Sequence, residues 1–478
     1  MSVIFSQIFL YLGCVYCINS VLIYLARRLK ISDFIAHILT GVLFAAAVAG
    51  WAALFGPQNA QPYQTGYRIT EHTIDNLRAE KVPQTVLTDL DSIKNRVYVG
   101  EGVFLDTLAS RLGEAEALRH KTQIFRFAAV SDRTFNTFII FLTQLGLLLF
   151  LVQIGFNFDP KFFQAGSDNA LKQAFLVMAL IVLILGGTGY FLLFEQNAWI
   201  TVFWVIAFLS IHIGAVLSAK FPITLSLKKP LKELVQLAVI LDIVTLALFT
   251  LVSIYLQFRG YNPSGLKGDL PRWVALTFFI LPALLPRKTE QFFGVFQKLL
   301  GEYTILLKLG FFFLFLYFGF HSGLSVLILG IWAGLLFKSF AGAVHFEVQQ
   351  KFFSNVSFLY IFPFVEIGRS LVAPREYSLD FWYAFGIILA ALASISLLLI
   401  ALISLRKREY PLALSLGAFP RGELSVLILW LFKEAYLIPF SLFVVSVAAV
   451  MASSLLGSFS GKYLFSSSLE RLRRLSRR

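Results

Sequence analysis

The apolar run 231–257 contains one carboxylate at its centre, Asp242, in the string QLAVILDIVTLALF. A carboxylate surrounded by hydrocarbon is costly to keep ionised, so it has few uses there: it can hold a proton, hold a bare cation, or answer a buried base. Counted from Leu231 at 1.5 Å per residue, Asp242 lies roughly 16 Å into a bilayer, near its midplane. Other ionisable groups share the setting. Glu366 and Arg369 stand three apart on one helical face, a spacing that suits an internal ion pair. Arg421 and Glu423 flank Gly422 in the string FPRGE and are expected to neutralise each other or cap broken helix ends. Lys308 is within a turn or two of a membrane surface, where its side chain can snorkel, so it reads as structural. His37 and His212 also fall within apolar runs; His212 sits among Ser210 and Gly214, which interrupt the run 198–219, and a hydrogen-bonded packing role fits it equally well. Asp242 is the one charge for which the sequence offers no structural partner.

The elements that must carry these residues follow from composition. Of 478 residues, 58% are hydrophobic, 14% are charged and 51 are Phe, with a mean hydropathy of +0.77. Soluble domains carry roughly 25% charged residues, so a soluble multidomain enzyme is excluded. The chain is too apolar to be disordered, and its net charge of +14 comes with no basic, aromatic-interleaved tract, which excludes a nucleic-acid partner. Solid apolar runs of about 20 residues exclude a β-barrel, whose strands alternate over about ten. Cys14 and Cys17 lie inside the first apolar run without further Cys or His ligands and read as small apolar residues. Nothing calls for a cofactor or a resident metal. The N-terminus has no basic residue ahead of its apolar stretch, so a retained first helix is expected.

Spanning runs can be placed at 3–26, 33–55, 134–157, 171–193, 198–219, 231–257, 272–286, 302–320, 322–338, 352–373, 380–404, 410–434 and 438–460. The expectation is an all-α polytopic membrane protein of about 13 transmembrane helices. Arg27, Arg28 and Lys30, then Lys220, Lys228, Lys229 and Lys232, then Arg406, Lys407 and Arg408, and finally the tail 466–478 concentrate the positive charge at one set of loops. That bias puts the N-terminus outside and the C-terminus in the cytoplasm. The organisation is two helices over 1–56, a polar and nearly charge-balanced extracytoplasmic insert over 57–130, the remaining helices over 131–465, and a basic tail over 466–478. In the insert, Phe104, Leu108, Leu112 and Ala115 recur at helical spacing and predict an amphipathic helix. The insert reads equally as a cap or sensor domain and as a spacer loop. His72 and His120 have no ligand spacing and are expected to be solvated.

With the seventh segment as a linker, the first six and last six segments can be laid side by side. An offset of seven reverses direction, so the halves would be inverted repeats whose discontinuous helices meet at the midplane. The fifth segment is interrupted at Ser210, His212 and Gly214; its partner, the twelfth, is interrupted at Gly417, Pro420, Arg421, Gly422 and Glu423.

Four strings in this order, RRLKISDFIAHILTGVLF (27–44), QLGLLLFLVQIGFNFD (144–159), QLAVILDIVTLALF (236–249) and LSLGAFPRGELSVLIL (414–429), resemble the monovalent cation:proton antiporter-2 family of bacterial sodium/proton exchangers and potassium efflux systems. The resemblance covers about residues 1–56 and 134–465. It implies a sodium/proton antiporter-like fold with crossed discontinuous helices in a bacterial inner membrane, exchange of Na⁺, K⁺ or Li⁺ for protons, Asp242 as the ion-binding carboxylate, and homodimers. Two departures bear on mechanism. Leu241 stands where relatives often carry a polar residue, and the eleventh segment has Ser394 and Ser396 but no internal Lys or Arg. A single exchangeable carboxylate then implies electroneutral exchange of one cation for one proton. Two other readings compete: a non-transporting membrane sensor or scaffold that works through the insert, and a channel-like potassium efflux protein, which the short basic tail disfavours because it leaves no room for a gating domain.

The charge bias makes a direct prediction. Alkaline phosphatase fused after Arg478 is expected to be inactive and a green fluorescent protein fused there fluorescent; the opposite pair of results would reverse the orientation.

Overall fold

The computed structural model describes residues 2–29, 31–55, 66–94, 97–99, 101–128, 133–157, 168–194, 196–211, 236–252 (apart from 239, 243 and 250), 310, 313–317, 326–339, 353, 355–371, 379–405, 419–434 and 437–475. The expected segment at 272–286, residues 302–309 of the expected segment at 302–320, with Lys308, and His212, Gly214 and Gly417 lie outside them. The described chain is mostly helical, and six helices are long and apolar enough to cross a membrane: Ser6–Leu29, Asp33–Trp51, Thr137–Phe156, Ala174–Leu193, Asp380–Leu399 and Phe440–Ser458. The protein is therefore an α-helical membrane protein. It divides into two units, one of residues 1–143, 362–383 and 440–444, the other of 144–361, 384–439 and 445–478.

The first unit begins with α1 (Ser2–Leu29) and α2 (Asp33–Phe55), which pack along each other. Several of their polar residues are answered locally, as hydrocarbon favours. Asn19 Oδ1 lies 2.8 Å from His37 Nδ1 and 3.1 Å from Thr40 Oγ1, and Arg27 meets Asp33 at 3.0 Å where the chain turns. Tyr11 packs edge-on against Phe44 and Phe135.

The insert folds around its own core. It comprises β1 (Gly66–Arg68), α3 (Glu71–Ala79), α4 (Gln84–Asp91), β2 (Val97–Val99), α5 (Glu101–Leu112) and α6 (Glu114–Ala128), with β1 and β2 antiparallel, Tyr67 opposite Tyr98. Ile69, Leu77, Leu90, Phe104, Leu108 and Ile124 are fully or almost fully buried there. The short ladder adds strand to an expected all-α chain. Thr70 caps α3 reciprocally with Thr73, and Tyr67, Phe104 and Phe125 form an aromatic cluster. Two expectations are corrected. The amphipathic helix stops at Leu112 because Gly113 takes φ +80°, a left-handed value that favours glycine, so Ala115 belongs to the next helix. His120 is half-buried rather than solvated, with Gln123 at 3.1 Å and Glu116 at 3.4 Å, because α6 turns that face toward the core; His72 is exposed. On the surface, hydrogen bonding to Glu71 raises the pKa of Lys94 above its usual range.

Of the helices later in the chain, residues 362–370 belong to the first unit. In the second unit, α7 (Arg133–Asn157), which enters from the first, is followed by α8 (Asp168–Thr188) with a π-helical turn at Gly189–Leu193, then α9 (Ala198–Ala207), α10 (Gln236–Phe249) and α11 (Val326–Ser339). Next come α12 (Ile361–Ser370), α13 (Leu379–Leu405), α14 (Glu423–Glu434) and α15 (Phe440–Leu475). The last helix continues through most of the expected basic tail.

Two close helix crossings share one design. In the first unit, a Cβ on Gly41 of α2 would strike the Val365 carbonyl, and one on Gly368 of α12 would strike the Ile38 carbonyl. In the second, a Cβ on Gly155 of α7 would strike the Ile331 carbonyl, and one on Gly334 of α11 would strike the Val152 carbonyl. In both cases each glycine faces the carbonyl three residues before its mate, the backbone-on-backbone approach that small residues permit between membrane helices. The strings agree as well: Val152-Gln-Ile-Gly155 matches Val365-Glu-Ile-Gly368, and Gly41-Val-Leu-Phe44 matches Gly334-Leu-Leu-Phe337.

Gly155→Ala and Gly368→Ala are each expected to destabilise the purified protein by about 2 kcal/mol through overpacking, read as a lower thermal midpoint in detergent. Gly50→Ala, with open space around it, is expected to leave the midpoint unchanged or raise it.

Candidate functional site

The site is assembled from two non-helical interruptions of apolar runs and from α10 and α15, which answer them. Asn197 caps α9 by accepting from the Trp199 and Ile200 amides. The helix ends at Ala207, where Phe208 and Leu209 close it with tight bonds back to Val205 and Ile206 at 3.0 and 3.3 Å. The chain is non-helical at Ser210 and Ile211, inside the expected run 198–219, whose remainder from 212 lies outside the described residues. The second interruption, likewise non-helical backbone within an expected apolar run, covers Phe419–Gly422. Pro420 has no N–H to give a helix; α14 begins only at Glu423, whose acidic side chain suits the positive end of the helix dipole.

The helices beside the interruptions pack together. Phe203 of α9 meets Phe432 of α14, with ring centres 5.4 Å apart, and Phe249 of α10 meets the same ring at 5.3 Å. Trp204, fully buried, donates its indole N–H to Ser446 Oγ of α15 at 2.8 Å. An interhelical hydrogen bond of this kind contributes about 0.6 kcal/mol in a membrane, so it orients α9 more than it stabilises it.

Asp242 on α10 sits against the first interruption. Ser210 donates its hydroxyl to Asp242 Oδ1 at 2.6 Å, and the Ile211 backbone N–H is a second donor. Arg421, fully buried in the second interruption, lies close enough to act on the carboxylate by charge. Asp242 thus has structural partners that the sequence did not supply: a hydroxyl, an amide and a guanidinium. The residue as a whole is half-buried, while Leu241 beside it is buried. One turn along α10, Thr245 donates to the Leu241 carbonyl at 2.7 Å. The second interruption is tied down in turn: the Arg421 backbone N–H bonds to Ser453 Oγ of α15 at 3.1 Å, and Pro420 fills the space beside Gly457.

Of the residues singled out in sequence, Ser210, Asp242, Pro420, Arg421, Gly422 and Glu423 are therefore in the second unit around these interruptions. Glu366 and Arg369 lie in the first, on α12, and form the expected ion pair at 2.8 Å. The Arg369 guanidinium also bonds to Tyr11 and rests over the Tyr11 and Phe44 rings at 5.7 and 5.8 Å. Ile211 and Ser453 escaped the sequence reading because an amide N–H and a serine carry no signature of their own. No family model matches the chain, and no curated protein matches it by sequence.

A hydrogen bond to a charged acceptor contributes about 2 kcal/mol. Ser210→Ala is expected to destabilise the protein by that amount, measured as a lower denaturation midpoint, and Ser394→Ala, whose hydroxyl bonds only its own helix at the Ala390 carbonyl, by much less.

Proposed function

We propose that this protein is a secondary transporter that exchanges a monovalent cation, Na⁺, K⁺ or Li⁺, for protons across a bacterial inner membrane. The observation that carries the reading is Asp242: a carboxylate on an apolar helix, held by a hydroxyl and an amide from the non-helical backbone beyond α9. A carboxylate so placed can hold a proton or a dehydrated cation but not both, which makes the two compete for one site. The Ser210 oxygen and the carbonyls released beyond Ala207 supply further oxygens of the kind alkali cations require. Arg421 offers a standing positive charge to the carboxylate when neither ion is bound. With one exchangeable charge, one cation trades for one proton and the cycle is electroneutral.

Alternating access requires a frame that can expose one point to either side, and inverted repeats provide one. The matched glycine crossings support that arrangement. Under an offset of seven segments, α2 corresponds to α11 and α7 to α12, so the two crossings are mates, with the same strings in the same register. The spacing from Gly155 to Gly368 is nearly that from Ile211 to Arg421. Gly41 and Gly334 are farther apart by about the length of the insert, as expected if the insert entered one copy of a duplicated unit. Pairing of two such chains follows from the family resemblance.

A second reading has its own observation. The insert's buried core makes it a folded domain rather than a spacer, which suits a membrane sensor or scaffold that does not transport.

Everted vesicles carrying a pH-sensitive dye separate the two. Addition of Na⁺, K⁺ or Li⁺ is expected to move protons in vesicles with the wild-type protein and to lose at least about 90% of that response with Asp242→Asn, a loss of more than 1.4 kcal/mol in the transition state. No response in wild type favours the sensor; a full response in the variant removes Asp242 from the mechanism. A rate that depends on membrane potential, with net charge moved, overturns electroneutrality.

A further inference from the structure

The two interruptions dispose of their freed backbone in the same way. At the first, the Ile211 N–H bonds to the side chain of Asp242 on the following helix. At the second, the Arg421 N–H bonds to the side chain of Ser453 on α15, in the apolar run that follows the one holding Arg421, as the run of α10 follows the one holding Ile211. The interval from Ile211 to Arg421 matches that from Asp242 to Ser453 to within one residue. Ser453 therefore occupies in the second half the place that Asp242 occupies in the first.

The surroundings of Ser453 explain what a hydroxyl does there. It is fully buried and donates its proton to the Val450 carbonyl at 2.9 Å, which leaves its lone pairs for the Arg421 amide. Four residues along the same face, Gly457 has no side chain, and a Cβ there would run into the Pro420 ring. The helix thus offers a two-point seat, a hydroxyl for one residue of the interruption and bare backbone for its neighbour. Ser458, by contrast, bonds only back to its own helix at the Ser454 carbonyl.

We propose that Ser453 is a positioning residue for the Asp242 site: with Gly457 it sets the backbone at Pro420 and Arg421, and so the distance from which the Arg421 guanidinium acts on the carboxylate. This rests on the reading of Asp242 as the ion-binding group. Charges buried away from water are weakly screened, so a small displacement of Arg421 changes the field at Asp242. A second carboxylate at Ser453 would add a second exchangeable charge; a hydroxyl holds the backbone without one.

The test uses the full chain in lipid nanodiscs. The infrared carboxyl band of Asp242, identified by subtracting the spectrum of Asp242→Asn, is titrated from pH 4 to 10. Ser453→Ala is expected to change the proton affinity of Asp242 about threefold or more, or roughly half a pH unit, and Ser453→Thr, which keeps the hydroxyl, to restore the wild-type curve. Gly457→Ala, which presses on Pro420 while leaving the hydroxyl, is expected to move the same curve and serves as the deciding variant if Ser453→Ala does not fold. Ser458→Ala is expected to have no effect. A wild-type curve in folded Ser453→Ala, or in Gly457→Ala when that variant decides, overturns the proposal, and so does a wild-type Asp242 band that never titrates. Because the band reads the carboxyl and not transport, vesicles that move no protons would end the exchange reading while leaving this result to stand by itself.

Discussion

A helix interrupted inside a membrane releases backbone N–H and C=O groups where no water competes for them, and each group left without a partner costs several kcal/mol. In the second unit that demand is met at two non-helical stretches. At 208–211 the freed amide of Ile211 finds a carboxylate, and at 419–422 the freed amide of Arg421 finds a serine hydroxyl. Each partner comes from the apolar run that follows in the sequence. The interruptions therefore bind their successors in place, and the carboxylate that solves a backbone problem is also the group best suited to take a proton or a cation.

Close backbone contact is the second device, and it works without polar groups. At the crossing of α7 and α11, Gly155 and Gly334 bring main chains together with Gln153 and Phe156 beside them; at the crossing of α2 and α12, Gly41 and Gly368 do the same with Glu366 and Arg369 at the matching places. The first of these packs with no ion pair at the positions where the second has one. The Glu366–Arg369 pair is thus an addition to the crossing rather than its cause, and Tyr11 and Phe44 shield its cation with their ring faces.

The insert obeys different physics. Its helices are short and of low hydropathy, and they are stable because Ile69, Leu77, Leu90, Phe104, Leu108 and Ile124 exclude water from one another. Lys94, bridged to Glu71 and Asp91 at 3.0 and 3.3 Å, lies on its surface, where exposure makes such pairs worth little. A domain of this kind can be carried between two membrane helices without disturbing the crossing that α2 makes with α12.

Much of the helical layout is written in local sequence, because the bilayer imposes a length and an apolarity that a single run either meets or does not. The starts and ends of α1, α2, α7 and α13 fall within a few residues of the runs that predicted them, and Ser210 and Pro420 mark their interruptions directly. Asp242 stands out for the same reason: an ionisable group in hydrocarbon is conspicuous by itself. Residues whose meaning depends on a neighbour were not legible in this way. Gly41, Gly155, Gly334 and Gly368 are four glycines among many until their opposing carbonyls are known, although the repeated Val-x-Ile-Gly string could have pointed to them. His120 reads as an exposed polar residue until α6 is laid on its core, and Ala115 continues a helical pattern that the left-handed backbone of Gly113 breaks. Arg421 looked like a partner for Glu423 two positions away, and only the folded chain brings its charge to bear on Asp242. Periodicity and hydropathy are properties of one segment and survive in the sequence; the pairing of Ser210 with Asp242 and of Arg421 with Ser453 joins residues 32 apart in each case, and only tertiary packing can place those atoms within hydrogen-bonding distance.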